Sequence, residues 1–269
     1  MDASTYEDIT YEVADGTTAV IMINRPHRYN AFRGKTVDEL IHAFKRAWAN
    51  QDVRVVILTG AGDKAFCTGG DVKQRAETGD YGPTESGIFE IESFHRVIRE
   101  IPKPVIAAVN GLAIGGGHVI HVICDMSIAD ESARFGQAGP RVGSFDAGFG
   151  TGFLARLVGE KRAREIWYLC RQYDAHQAEQ WGLVNKVVPD GTCVEEAKAW
   201  AREIAVLSPT AIEFLKYSFN VDTEMQAALG NLAGSGLRLF VNSPEGKEGA
   251  VAFAEKRPPD FGAAARGER

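Results

Sequence analysis

The chain has 269 residues, 45% hydrophobic and 25% charged, the balance of a globular protein and unlike a collagenous, disordered or coiled-coil chain. Lys and Arg (30) are outnumbered by Asp and Glu (36), giving a net charge of −6, which tells against a surface built for a nucleic-acid backbone. Cys67, Cys124, Cys170 and Cys193 form no C-x-x-C pair, so neither a disulfide scaffold nor a cysteine zinc knuckle is expected.

The N-terminal residues have neither the basic start nor the apolar stretch of a secretory signal. The longest apolar runs, 105–109 and 119–123, fall short of a membrane span. A cytoplasmic protein with no membrane or nucleic-acid partner is the expectation.

In chain order, 9–13 and 18–23 flank Asp15-Gly16, the pattern of a hairpin, and Arg25-Pro26 ends the second run. Apolar residues at Val37, Leu40, Ile41, Phe44 and Trp48 predict a helix over 36–50. The run 53–59 predicts a buried strand with its turn at 60–63. The order then recurs: a helix over 87–100, a strand over 105–109 after Pro102 and Pro104, a glycine cluster, and a helix from about Val119. Strand, turn and helix in alternation predict an α/β layered core. Helices are expected over 161–170, 175–180, 194–207 and 209–219, and no strong strand over 227–256. A soft boundary falls near residue 200, and 262–269 reads as a frayed tail.

Two glycine clusters, Gly69-Gly70 and Gly115-Gly116-Gly117, each come after a predicted strand. Such glycines let main-chain N–H groups approach a ligand atom, with a helix N-terminus adding its dipole. Two of these donors on one oxygen make an oxyanion hole; tight turns and close packing explain the same glycines. No P-loop is present, and Ser144 lies in no G-x-S-x-G elbow. His118, His121, Cys124 and Asp125 share helical spacing but interleave with apolar residues, and no metal site is expected there. Asp146, isolated among small residues in 135–148, suits a general base or a hydrogen-bond acceptor; alone it suits a turn cap equally.

Taken as separate blocks, Ile23-Asn24-Arg25-Pro26, Asn30-Ala31-Phe32, 58–67, 114–118, 135–148, 163–173 and 256–261 resemble the crotonase (enoyl-CoA hydratase/isomerase) superfamily over essentially the whole chain. Within it the resemblance is to the 1,4-dihydroxy-2-naphthoyl-CoA synthase family. It implies an α/β fold, a ClpP-like core of repeated ββα units over 1–200 carrying the CoA and active sites, and a helical oligomerisation region over 201–269. It also implies a trimer or a dimer of trimers, a CoA thioester as substrate and no tightly bound cofactor.

By the same resemblance, Gly70 and Gly116 donate the oxyanion-hole N–H groups to a thioester enolate. Asp146, Ser144 and Tyr81 act at the reacting centre, and Lys73, Arg75, Thr68 and Asp71 bind substrate. Arg25 and Lys256 contact CoA phosphates or the adenine region. The two hydratase glutamates are replaced by Val119 and Gly139, which cannot carry a proton. Gly139 is expected to leave a space that bicarbonate fills, against Gln137 and Trp167.

The chain departs from the synthase pattern at Val241, where that family has a tyrosine, and at Ala138, where it has a threonine. The sister family of 2-ketocyclohexanecarboxyl-CoA hydrolases shares the Asp/Ser arrangement and is the second expectation, behind ring closure of o-succinylbenzoyl-CoA. A non-catalytic CoA-binding scaffold is the third.

Overall fold

The computed structural model describes residues 6–267. Two sheets organise it. The larger has six strands in the order β1 (Ile9–Ala14), β2 (Thr18–Ile23), β3 (Val55–Gly60), β5 (Val105–Val109), β7 (Met126–Asp130) and β10 (Lys186–Val188). Only the β1–β2 hairpin is antiparallel.

The period of two along a strand gives this sheet two apolar faces. Val56, Leu58, Val105, Ala107 and Val109 enter the main core. Val55, Ile57, Ile106, Ala108 and Ile128 face Cys193, Ala197 and Ala201 of α8 (Cys193–Ala205). Burial on both faces explains why these strands read as unbroken apolar runs. Residue 200, where the composition places its boundary, lies inside α8.

The smaller sheet has the order β4 (Ala65–Cys67), β6 (Leu112–Ile114), β8 (Arg134–Gly136) and β9 (Gln172–Asp174), the first three parallel. The chain passes from a long strand to a short one and then to a helix: β3, β4 and α2 (Val72–Thr78), then β5, β6 and α4 (Gly116–Ile123). This is the ββα repeat that the resemblance implied. Parallel neighbours leave a sheet at the same edge, so Gly69-Gly70, Gly115-Gly116 and Gln137 to Gly139 emerge side by side. In open α/β sheets that edge is where ligands bind.

The remaining helices wrap this core. α1 (Gly34–Ala49) packs on the hairpin and on α3 (Ile91–Glu100). α5 (Gly152–Val158), α6 (Glu160–Leu169) and α7 (Ala175–Gln180) follow the Asp146 loop. α9 (Pro209–Val221), α10 (Glu224–Val241), α11 (Pro244–Glu255) and α12 (Phe261–Ala265) complete the chain. The expected frayed tail is corrected up to Ala265: Asp260 accepts from Ala263 N and starts a short helix, while 268–269 lie outside the described residues. Among the described residues no helix is long and apolar enough to cross a membrane.

Candidate active site

Two cavities meet at the glycine edge. The wider, about 310 Å³, is lined by His27, Arg28, Thr68, Asp71, Lys73 and Phe253 among others. The narrower, about 100 Å³, runs inward between Phe89, Glu92, His95, Phe145, Asp146, Phe149, Trp167 and the face of α10. Gly70, Gly115, Gly116, Gly139, Tyr81 and Ser144 line both, so the junction is made of backbone and two hydroxyl side chains. Among the described residues, Arg28 and Lys73 line the wide end, while no Lys or Arg lines the narrow cavity. A polyanionic group is recognised by such a mouth, and an apolar acyl group by the interior.

The junction amides follow from the local backbone. Phe32 N–H donates to Gly69 O and Asp71 N–H to Phe32 O, each at 2.8 Å, in a parallel bridge between Phe32 and Gly70. That pairing spends the groups on either side of Gly70 and turns the Gly70 N–H away from Phe32. Gly116 is the first residue of α4, whose N–H has no partner within the helix. Gly69 (φ +85°) and Gly115 (φ +59°) bend the chain in the left-handed region before each donor. The two loops touch: a Cβ on Gly69 would lie 2.8 Å from Gly116 N, and one on Gly70 2.5 Å from the Tyr81 ring. Tyr81 stacks on Phe89 with ring centroids 4.8 Å apart.

Asp146 Oδ1 accepts from Gly148 N and Gly150 N, both at 3.0 Å, which fixes the carboxylate in the inner wall. Ser144 N–H donates to Gly139 O at 2.9 Å. Asp71 and Arg75, expected to bind substrate, are spent elsewhere. Asp71 is buried, caps α2 by accepting from Gln74 N, and pairs with Arg25 at 3.1 Å. Arg75 is buried and holds Val142 O, with a long 3.4 Å hydrogen bond to the Tyr81 hydroxyl.

Arg25, expected on CoA, is also buried, between Asp8 and Asp71, and donates to Ala31 O; it braces the glycine loop from behind. The exposed Lys256 caps α11 with φ +57° and lines neither cavity. Thr68 and Lys73 do line the wide cavity. His27 and Arg28, which sequence reasoning passed over, join them there.

The residues expected around bicarbonate do not fit that ion. Trp167 Nε1–H already donates to Gly150 O at 2.6 Å. The Gln137 amide nitrogen meets His118 Nδ1 at 3.2 Å, and its Oε1 is buried without a partner, an acceptor where an anion needs donors. Gly139 borders both cavities, but a side chain on it would be blocked, because a Cβ there would lie 2.7 Å from Ser144 O. His118 and His121 pack edge to face at 4.9 Å inside the core; burial lowers His118 to a pKa of about 3 and His121 well below its usual range. Among the described residues no group of three or more His, Cys, Asp or Glu could hold a metal.

Three parts of the inner cavity were not singled out from the sequence: Glu92, His95, and the Gly230, Ala233 and Gly234 face of α10. Glu92 and His95 lie i, i+3 on the inward face of α3, hidden among the apolar residues of its periodicity. The small residues of α10, spaced Gly-x-x-Ala-Gly, were a visible signal of close approach. A Cβ on Gly230 would lie 2.8 Å from the Phe149 ring, and one on Gly234 would overlap the Glu92 carboxyl.

Two loop amides, a serine and a tyrosine hydroxyl thus meet where the two cavities join. The enoyl-CoA hydratase/isomerase family model matches residues 14–264, and the chain belongs to that family. An enoyl-CoA hydratase/isomerase from Pseudoalteromonas atlantica T6c is 30% identical, with a TM-score of 0.85, over 95% of this chain and 100% of that one. An enoyl-CoA hydratase from Bacillus anthracis is 34% identical, with a TM-score of 0.72, over 94% and 98%. A carnitinyl-CoA hydratase from Mycobacterium avium is 33% identical, with a TM-score of 0.80, over 95% and 98%. The protein is accordingly an acyl-CoA enzyme of the crotonase superfamily.

Proposed function

We propose that the enzyme opens a ring by hydrolysis, cleaving the bond between the α-carbon and the neighbouring ketone carbon of a cyclic β-ketoacyl-CoA. A 2-ketocyclohexanecarboxyl thioester is the model substrate. The observation that carries this reading is the lining of the two cavities: among the described residues, Arg28 and Lys73 line the wide one, while Glu92 and Asp146 line the narrow one with no Lys or Arg in its wall.

A neutral ring ketone suits that cavity. The substrate of the ring-closing synthase, o-succinylbenzoyl-CoA, carries a free carboxylate in its acyl part, which would meet the carboxylate of Asp146 with no Lys or Arg in the described wall to balance it.

In this reading Gly70 and Gly116 N–H hold the thioester oxygen. Asp146 takes a proton from water, and the hydroxide oxygen bonds to the ketone carbon, with Ser144 and Tyr81 orienting the oxygen atoms at the junction. The carbon–carbon bond then breaks and its electron pair passes into the thioester enolate. Protonation of the α-carbon leaves an open chain with a carboxylic acid at one end and the thioester at the other. Val119 and Gly139 take no part in proton transfer, so hydration of a simple enoyl-CoA is not expected from the usual glutamate positions.

The shared Asp146 and Ser144 arrangement keeps the synthase as the second reading, since both reactions pass through the same enolate. Parallel incubation with 2-ketocyclohexanecarboxyl-CoA and o-succinylbenzoyl-CoA, with products followed by mass spectrometry, separates them. Pimelyl-CoA alone is the expected result; a naphthoyl product alone would overturn the ring-opening reading. Loss of about 10²–10⁴-fold in turnover is expected for Asp146→Asn, and an unchanged rate would remove Asp146 from its assigned role.

A further inference from the structure

We propose that Glu92 is the acid that delivers the proton to the α-carbon of the acyl group, so that α3 supplies the carboxylate missing at positions 119 and 139. This inference rests on the enolate of the reading above, and on neither the ring nor the direction of reaction.

Glu92 lines the acyl cavity together with Asp146, and its carboxyl lies against Gly234, where any Cβ would overlap it. A glycine at this point of α10 is the condition for that carboxyl to occupy its place. One turn further along α3, His95 is 2% exposed, its Nε2 has no hydrogen-bond partner, and it lines the same cavity. A buried polar atom without a partner is costly unless a ligand or water meets it, so this end of the cavity is built to receive a polar group.

Burial raises the pKa of Glu92 above the ordinary glutamate value; a backbone hydrogen bond and the charge of Arg238 oppose it, the charge of Asp146 adds to it, and Arg96 opposes it more weakly. Burial keeps His95 neutral, with Asp146 opposing. Two carboxyls in one cavity, Asp146 held by two backbone N–H groups and Glu92 shifted by burial toward its acid form, divide the work into base and acid.

The proton balance closes on these two groups. Asp146 receives the proton of the attacking water, Glu92 gives its own to the α-carbon as the enolate collapses, and the proton on Asp146 restores Glu92.

The test uses a partial reaction that needs no carbon–carbon cleavage, α-deuterium exchange of cyclohexanecarboxyl-CoA in heavy water. Here the Glu92 carboxylate takes the α-proton while the C–H electron pair enters the enolate, exchanges that proton with the solvent, and returns a deuteron to the α-carbon. The wild type is expected to exchange. Glu92→Gln is expected to lose about 10²–10⁴-fold in exchange rate at unchanged thioester affinity. Gly234→Ala, which displaces the carboxyl and leaves its chemistry intact, is expected to fall in the same direction. No exchange by the wild type, wild-type exchange in Glu92→Gln, or a loss that tracks thioester affinity would overturn the proposal. Failure to open the cyclic β-ketoacyl thioester, with exchange and its dependence on Glu92 intact, would overturn the ring-opening reading alone.

Discussion

Gly70 has no room for a methyl group without moving Tyr81, whose ring would be 2.5 Å from the new Cβ. Gly70→Ala is therefore expected to keep the fold and lose about 10²–10³-fold in kcat/KM, the usual cost of spoiling one oxyanion donor; steady-state kinetics with the preferred thioester checks it. Glu92 allows a second prediction through its folding linkage. A carboxyl whose pKa is raised in the folded state costs stability above that pKa, and the cost vanishes below the unfolded value. Glu92→Gln should thus raise Tm at about pH 8 and leave it unchanged at about pH 3, a difference visible by calorimetry. Gly70, Gly116 and Asp146 were legible as candidates because glycine pairs and an isolated acid stand out in sequence. Glu92 was not, because one acidic residue on an amphipathic helix looks like any solvated position until the facing helix is known.

The glycine loop after β4 stands on a buried charge network that the sequence could not reveal. Arg25 lies between Asp8 and Asp71, Arg33 donates to both oxygens of Asp8 at 2.7 and 2.9 Å, and Thr36 donates to Asp8 at 2.6 Å. Removing one partner of a buried pair strands the others, so Arg25→Ala is expected to cost about 3–5 kcal/mol in urea unfolding. A phosphate-binding arginine would instead change CoA affinity and leave the unfolding midpoint alone. The strands β1, β2, β3 and β5 and most of the longer helices were readable because their apolar runs and 3.6-residue spacing are strong signals. The five-residue β7 and the three-residue strands β4, β6, β8, β9 and β10 were not, since they are too short to show a clear period, and β4 and β6 run into glycine clusters.

At the scale of the molecule, α9 and α10 face two ways. The small side of α10 closes the acyl cavity, while Phe214, Phe219, Met225, Leu232 and Leu239 are between 68% and 86% exposed. An apolar surface of this kind calls for a covering partner, which the trimer or dimer of trimers implied by the resemblance would supply. A self-associated wild type is expected by light scattering, with a shift toward monomer and lower activity in Leu232→Glu, since α10 also walls the active site. A monomeric wild type of full activity would contradict that assignment. The α/β repeat was readable at this scale from the recurrence of strand, glycine cluster and helix. The double use of α10 was hidden, because helical periodicity gives the apolar side of a helix and leaves its neighbour unnamed.

The most direct measurement is a crystal structure with a non-hydrolysable acyl-CoA bound. The thioester oxygen is expected about 2.7–3.1 Å from both Gly70 N and Gly116 N, with the acyl group inside the cavity of Glu92 and Asp146. An oxygen bound away from either amide would contradict it.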